Sequence, residues 1–398
     1  NYIYYLNIKL YYYKMTDYLK FSDYFSVEEK QFQQNIKETL NKHISPLCIE
    51  YFEKGEFPFQ VIEHIRKLNI VGGMIDYPDC PGLTLNELML TIMELTKCDG
   101  SIATFVQVQS ALVMQPIFDF GSEEQKKELL PKLANMDLLG AFALTEPNHG
   151  SDIAIMDTRH KKVNDGYILT GHKRWIGNAT FADIIVVISR SIDTKEINAF
   201  YLDRTIIRNL GISKIEGKTS LRMVQNGDIT IDRVFVPDRY LLPNCHSFRD
   251  IGRVLFPTRM FAGWSAACLS MEVYDRTKEY LSNRESFKKP LLSYQLPQYK
   301  LMEMLGNTQA MIYFSKRIFD LYRLGQVTEG QLSMIKAWNT KKARETILLA
   351  RELLGGNGIL LDNFVAKVHV DIEALYTYEG SYDINLLIAG REETKQKQ

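Results

Sequence analysis

The chain has 398 residues, 45% of them hydrophobic, enough for a large core and more than one structural layer or domain. Lys and Arg total 48, as do Asp and Glu, so the formal net charge is zero and there is no electrostatic footprint for nucleic acid or a membrane surface. Five cysteines, an odd number without a CxxC pair, argue against a disulfide framework or a structural zinc site and for a reducing compartment.

The opening stretch, NYIYYLNIKLYYYK, is tyrosine-rich and precedes Met15, with neither transit-peptide nor signal-peptide character. Residues 1–20 are set apart as a leader or disordered tail. From about Ser26 to Leu138 the signals are helical: Ser26-Val-Glu-Glu29 and Ser122-Glu-Glu-Gln125 have the capping-box form. Pro81-Gly82 marks a turn before a helix starting near Thr84 or Asn86. Ile102 to Phe118 is nearly apolar and long enough for a buried helix, while no uninterrupted apolar run approaches the ~20 residues of a membrane span.

At Gly140 the texture changes to short runs rich in β-branched and aromatic residues, separated by Gly, Asn and Asp turns. Asp228 to Pro237 has the period-two pattern of a half-buried strand. Residues 140–244 therefore read as an antiparallel β domain between a helical domain at 21–139 and a helical domain at 245–398. In the last part Leu301, Met304, Leu305, Thr308, Met311, Ile312, Ser315, Phe319 and Tyr322 share one face at 3–4 spacing and are assigned to core. Thr328-Glu-Gly-Gln331 opens a helix that runs to Leu354 and stops at Gly355-Gly356, and such long helices with short joints predict an antiparallel bundle. The fold class is mainly α with a central β domain. The end, Lys395-Gln396-Lys397-Gln398, is no SKL-type address, so no clear targeting signal is present.

Five stretches carry residue types suited to chemistry, each with a plainer alternative. Near the C-terminus Glu379 sits between Tyr378 and Gly380, where glycine permits a sharp turn or a close approach to the backbone. A carboxylate so placed can act as a proton-abstracting base if apolar surroundings raise its pKa; otherwise it is a solvated acid at a helix end. The run Leu144 to Asp152 follows a strand. Its backbone N–H groups and the hydroxyls of Thr145 and Ser151 can hold a flavin edge or a phosphate, or simply connect elements. His149 within it is assigned to loop structure. In Lys173 to Asn178 the Trp175 indole can pack on a planar cofactor or in a sheet core. Arg284, upstream of Pro290 and Gln295, offers a guanidinium for pyrophosphate or a solvated helix end. The glycines of Leu353 to Gly358 do not follow a strand and open a helix, so they form no Rossmann fingerprint; they allow close approach of a phosphate or another chain, or cap a helix.

Together, in this order and with a helix–β–helix layout, these motifs resemble the acyl-CoA dehydrogenase/oxidase superfamily over essentially the whole chain after about Phe21. The similarity is strongest toward the glutaryl-CoA dehydrogenase branch and the plant-type short-chain acyl-CoA oxidases, through Gly171–Asp183, Leu221–Ile229 and Arg351–Ile359. The resemblance implies a C-terminal four-helix bundle, FAD between β domain and bundle, and a homo-oligomer, a tetramer or a dimer. It implies Glu379 as the base that removes the pro-R α-proton of a short straight-chain acyl-CoA while the β-hydrogen leaves as hydride to flavin N5. The product is a trans-2-enoyl-CoA, as in fatty acid β-oxidation. The Glu379 N–H and a flavin ribityl hydroxyl would polarise the thioester carbonyl. Leu144, Thr145, Ser151, Trp175, Gly177 and Ser381 match the flavin site, and Arg284, Gln295, Gly355 and Gly356 match groups that bind FAD across a subunit interface. Ser151, Arg259, Tyr378 and Gly380 match the substrate site. Some relatives carry the base one residue before the arginine matched by Arg259; Thr258 stands there and cannot serve. No metal is implied. The acceptor would be O2 or an electron-transfer flavoprotein, and the setting intracellular, in the mitochondrial matrix or a peroxisome.

Departures from the pattern are informative. Ala103 replaces the arginine that reads the distal carboxylate in glutaryl-CoA enzymes, and burying a second carboxylate without a cation is costly. Gly177 replaces a common threonine, as in plant-type oxidases, which leans toward O2 as acceptor. Ser286 and Lys288 replace the usual Gln and Gly after Arg284. The alternatives are a glutaryl-CoA dehydrogenase and a non-catalytic superfamily member acting as a binding or scaffold protein.

Overall fold

The computed structural model describes residues 17–207 and 209–394; residues 1–16 of the suspected leader and the C-terminal tetrapeptide lie outside the described residues. The first part is helical: α1 (Val27–His43), α2 (Cys48–Lys54), α3 (Val61–Leu68), α4 (Leu85–Cys98), α5 (Gly100–Gln107), α6 (Gln115–Phe120) and α7 (Glu123–Ala134). Ser26, Thr84 and Ser122 each accept the N–H three residues on, and Glu29, Glu87 and Gln125 reach back to the cap N–H. Otherwise orphaned donors are satisfied on both sides, which fixes where these helices begin.

Between α5 and α6 the helix does not stop. Val108–Met114 continues as a wider π turn, so the predicted buried helix is one rod of changing pitch. This 21-residue rod is long and apolar enough to cross a membrane, with a mean hydropathy of 1.2 over its most apolar 18 residues, yet 61% of those are buried inside the protein. That qualifies the expectation that no run approaches spanning length; the apolarity is that of a core helix. Gln109 ties the rod to the sheet, its Nε2 donating to the carbonyls of Leu133 and Leu138 and its Oε1 accepting from Gly140 N at 2.7 Å.

The middle part is one sheet of β1 (Gly140–Ala143), β2 (Arg159–Val163), β3 (Gly166–Ile176), β4 (Ile184–Ser191), β5 (Ile197–Asp203), β6 (Leu210–Lys214), β7 (Gly227–Pro237) and β8 (Leu241–Leu242). The order is β6–β7–β3–β2–β4–β5–β8, with β1 on β4. Most pairings are antiparallel as expected, but β1 and β2 run parallel to β4. β4 is apolar and buried from Ile184 to Ile188, the texture of a central strand covered on both faces. β7 alternates as predicted: Ile229, Ile231, Val234 and Val236 are buried while Thr230 and Phe235 are exposed.

The last part comprises α8 (Phe248–Asn283), α9 (Gln295–Arg323), α10 (Glu329–Leu353) and α11 (Phe364–Thr377), with α12 (Tyr382–Thr394) packed on α10. The predicted stripe on α9 lies in this bundle's core, with Tyr322 half-buried at its edge. The three parts meet at a buried ion cluster. Lys367 Nζ lies 2.7 Å from Asp99 Oδ2 and 2.5 Å from Asp371 Oδ2, while Asp371 Oδ1 accepts the Leu221 N–H at 2.6 Å. One acid comes from the helical part, the other acid and the lysine from the bundle, and the N–H from the β part.

Candidate active site

Between α11 and α12 the chain turns on two left-handed residues, Glu379 at φ 54° and Gly380 at φ 85°. A non-glycine residue held there stores strain of order 1–3 kcal/mol, which surrounding contacts must offset. Gly380 cannot be replaced freely, since a Cβ would stand 2.8 Å from Asn385 Nδ2. Two buried donors collect the carbonyls of the turn. Asn385 Nδ2 donates to Glu379 O, Gly380 O and Ser381 O at 3.2, 2.8 and 3.1 Å. Lys336 Nζ donates to Tyr376 O at 3.0 Å and to Gly380 O at 2.6 Å. Ser381 closes the turn by accepting the Ile384 N–H at 3.4 Å.

The half-buried Glu379 carboxylate is pinned from α8: Thr258 Oγ1 donates to Oε2 at 2.6 Å. The same hydroxyl lies 2.9 Å from Leu255 O, and its one proton can serve only one acceptor at a time. An ionised carboxylate wins that competition, because a charge-assisted bond is the stronger. Burial pushes the Glu379 carboxyl above its ordinary pKa; the Thr258 hydroxyl and the charges of Arg259 and Lys336 pull the other way without cancelling it. Lys336 is fully buried, and burial lowers its pKa to about 7 against the opposing pull of Glu379. Arg259 is held by Glu329 at the start of α10, Nη1 to Oε1 at 2.9 Å. Tyr378 is half-buried and packs on the bundle core; burial above all, with the acids Glu379 and Asp371, raises its phenol pKa, while its hydrogen bond with Thr104 pulls the other way. One turn past Thr258, Phe261 walls a cavity of about 30 Å³ that Met74, Leu88, Ile92, Thr91 and Ser110 also line.

The Leu144–Ser151 loop and the end of β3 are also brought together. Arg174 N donates to Thr145 O at 2.8 Å, and buried Lys173 Nζ donates to Leu144 O at 2.8 Å and to Glu146 Oε1 at 2.9 Å. Burial lowers the Lys173 pKa to about 8; Glu146, which burial alone would raise, is held low by that lysine and by the Asp157 and Thr158 N–H groups. On this braced corner Trp175 is left-handed, φ 65°, and 52% exposed, a large aromatic presented rather than packed away. Ser151 is exposed on the same loop. His149 braces the loop between Asp152 and Asp157, in keeping with its structural assignment. Glu146, His149 and Asp157 bring ligand atoms within 4.8 Å of one another, but Glu146 is already committed to Lys173 and two N–H groups. Gly177 has an ordinary φ, and a Cβ there would meet Val108 and Val224 only at 3.6 and 3.7 Å, so neither packing nor backbone demands glycine. Val108 lies one helical turn beyond the Thr104 that Tyr378 contacts, which connects this corner to the Glu379 turn.

Arg284, Gln295, Gly355 and Gly356 are all exposed. Tyr280 ties the Arg284 end of α8 to the glycine turn: the Arg284 N–H donates to its carbonyl, and the Asn357 amide donates to its hydroxyl at 2.9 Å. Gly355 is left-handed at φ 56°, and a Cβ on either glycine would meet nothing within 4 Å. Arg284 lies about 39 Å from Thr258 along α8 at about 1.5 Å per residue, so within one chain this group is not brought to Glu379.

Lys336, Asn385 and the donor role of Thr258 were missed by sequence reasoning. Thr258 was excluded as a base without being weighed as a hydrogen-bond donor. A lysine between Ile335 and Ala337 on the buried face of α10 was the available signal.

Family models described as acyl-CoA dehydrogenase N-terminal, middle and C-terminal domains match residues 26–137, 141–234 and 248–393. The "Acyl-CoA dehydrogenase" of Bacillus subtilis (strain 168) is 28% identical over 372 residues, 92% of this chain and 97% of its own. A glutaryl-CoA dehydrogenase structure from Mycobacterium smegmatis superposes with a TM-score of 0.92 at 30% identity, covering 96% of this chain and 98% of that one. A second glutaryl-CoA dehydrogenase structure from M. smegmatis, in complex with FADH2, gives 0.93 at 28% identity over 97% and 99%.

Proposed function

The chain belongs to the acyl-CoA dehydrogenase family, oxidoreductases acting on CH–CH bonds, and we propose that it converts short straight-chain acyl-CoA thioesters to trans-2-enoyl-CoA with Glu379 as the α-proton base. The observation that carries this reading is the Glu379 carboxyl itself. It is lifted above its ordinary pKa by burial, fixed by Thr258, and presented on a strained turn that two buried donors hold. A base of that kind is poised nearer neutrality, where general-base transfer is efficient.

The residues present fit FAD. An exposed, left-handed Trp175 beside the Leu144–Thr145 corner offers an aromatic face and backbone polar groups, and the similar M. smegmatis structure holding FADH2 supports the same cofactor. Leu144, Thr145, Ser151, Trp175, Gly177 and Ser381 would hold the flavin portion; bound FAD supplies the hydride acceptor. Arg284, Gln295, Gly355 and Gly356 would reach the cofactor of a second subunit, because they lie too far from Glu379 to share its site within one chain. Ser151, Arg259, Tyr378 and Gly380 would line the substrate, and the Glu379 N–H would face the thioester oxygen.

The cavity past Phe261 holds only about 30 Å³, room for about one water, which speaks against long acyl chains. Ala103 is buried in apolar core, which favours a monocarboxylyl substrate over glutaryl-CoA. The space over Gly177 favours O2 as acceptor, with an electron-transfer flavoprotein as the alternative. Anaerobic bleaching of the flavin across butyryl-, hexanoyl-, longer acyl- and glutaryl-CoA tests the substrate, with the fastest reduction expected for butyryl- or hexanoyl-CoA. Reoxidation in air, followed by stopped flow, tests the acceptor: reoxidation as slow as in ordinary dehydrogenases removes the oxidase reading. A purified protein without yellow colour would instead support a scaffold role.

A further inference from the structure

Lys336 sits on α10 with its side chain wholly inside the bundle, and its Nζ is bonded to carbonyl oxygens rather than to a carboxylate. A lysine buried this way is costly unless its charge or its donors serve something. Asn385 grips the carbonyls of Glu379, Gly380 and Ser381, while Tyr376 O at the other end of the segment is held by Lys336. What Lys336 adds is a second grip, on Tyr376 and Gly380 at either end of the segment carrying Glu379, and a positive charge felt by the Glu379 carboxylate.

We infer that Lys336 is a positioning residue for proton abstraction: its two bonds fix the direction of the Glu379 carboxyl and N–H, and its charge favours the ionised base. This rests on the reading of Glu379 as the base. The other groups facing Glu379 are accounted for. Thr258 donates from α8, Arg259 on α8, ion-paired with Glu329 of α10, pulls the carboxyl pKa down alongside Lys336, and Tyr378 precedes it in the turn. Burial moves the lysine's own titration to about pH 7, so it is cationic below neutrality, and there its charge opposes the upward pull of burial on the Glu379 carboxyl.

The test uses the full-length, flavin-loaded protein as wild type, Lys336→Met, Lys336→Gln and Asn385→Ala. Two measurements are made: anaerobic flavin reduction by butyryl-CoA from pH 5 to 9, and amide hydrogen exchange of residues 376–386. Lys336→Met should slow reduction on the order of a hundredfold, the usual effect of misplacing a reacting group by about 1 Å. It should also move the acid limb of the rate profile to higher pH and loosen the segment. Lys336→Gln keeps a donor without the charge, so it should move the limb equally with a smaller loss of rate. Asn385→Ala should slow reduction and loosen the segment with the limb unmoved. Acid limbs of both lysine variants that coincide with wild type overturn the inference; if Lys336→Met does not fold, Lys336→Gln decides alone. Segment protection in the lysine variants equal to wild type also overturns it, and this readout needs no turnover. A wild-type flavin that no acyl-CoA reduces overturns the functional reading instead, leaving the exchange result to judge the grip.

Discussion

Two lysines buried in this molecule are held in opposite ways. Lys367 lies between Asp99 and Asp371, and although burial alone would depress its pKa, the two carboxylates hold it up. Lys336 is as deeply buried but meets carbonyl oxygens, and burial brings its pKa down to about 7. The first cluster joins three parts of the fold and pairs its lysine with two carboxylates, the Asp371 carboxyl being pushed up by burial and by Asp99 against the pull of the lysine. The second leaves a cation facing a raised carboxyl on a left-handed turn. Where charges are paired the fold is being tied; where titrations are displaced and strain is kept, chemistry is being prepared.

The sharpest way to break this contrast is to remove Lys367. Lys367→Met leaves two buried acids facing each other without a cation and should cost about 3–5 kcal/mol of stability, enough to prevent accumulation of folded protein. Chemical denaturation or yield of soluble protein measures it, and a variant as stable as wild type would show that the cluster is not structural. Glu379→Gln should do the reverse, lowering flavin reduction by acyl-CoA by about 10²–10⁴-fold while bound flavin is retained. Its stability effect has a defined sign. The folded-state pKa of Glu379 lies above the ordinary 4.5, so the folded protein binds the extra proton and gains stability below that value, a gain lost as pH rises through the raised pKa. Near neutrality the glutamine variant should therefore be at least as stable as wild type, with less stability lost between acid and neutral pH in thermal melts.

Neither lysine of this contrast stands out in the sequence, although much of the fold and the Glu379 turn does, and the missing part has a physical reason. The capping boxes at Ser26, Ser122 and Thr328, the α9 core stripe and the alternation in β7 are local patterns, and they were readable because neighbours in sequence satisfy one another. Glu379, Tyr378 and Gly380 stood out because their types and order suit a base on a turn. The parallel pairings of β1 and β2 with β4 and the π turn at Val108–Met114 depend on contacts between distant segments, which no local pattern encodes. The same holds for the grips of Lys336 and Thr258 on the Glu379 segment, which join residues 40 or 44 and 121 positions apart.

A smaller effect sharpens the role of the hydroxyl that reaches Glu379. Thr258→Val keeps the shape of the side chain but deletes a hydrogen bond to the charged carboxylate, worth about 1.5–3 kcal/mol. The hydroxyl pulls the carboxyl pKa down, so its loss should raise that pKa further and move the acid limb of flavin reduction to higher pH. Because Thr258 bonds the carboxylate and Lys336 the carbonyls behind it, the valine variant should leave exchange protection of residues 376–386 unchanged. Loosening of that segment in Thr258→Val would merge the two roles.

Thr91 offers the smallest and most discriminating change, because it is a buried polar group outside both arrangements. Its hydroxyl is buried without a hydrogen-bond partner and the residue lines the cavity beyond Phe261. An unsatisfied hydroxyl in an apolar wall costs about 1–3 kcal/mol, so Thr91→Val should stabilise the protein by about 1 kcal/mol, read as a rise of about 1 °C in Tm. Reduction of the flavin by butyryl-CoA should stay within about twofold, since a methyl presents the same volume to a hydrocarbon chain. If the valine variant is instead more stable but slower by tenfold or more, the hydroxyl is a contact for the substrate. The wall of that cavity would then belong with the prepared chemistry around Glu379 rather than with the fold's own ties.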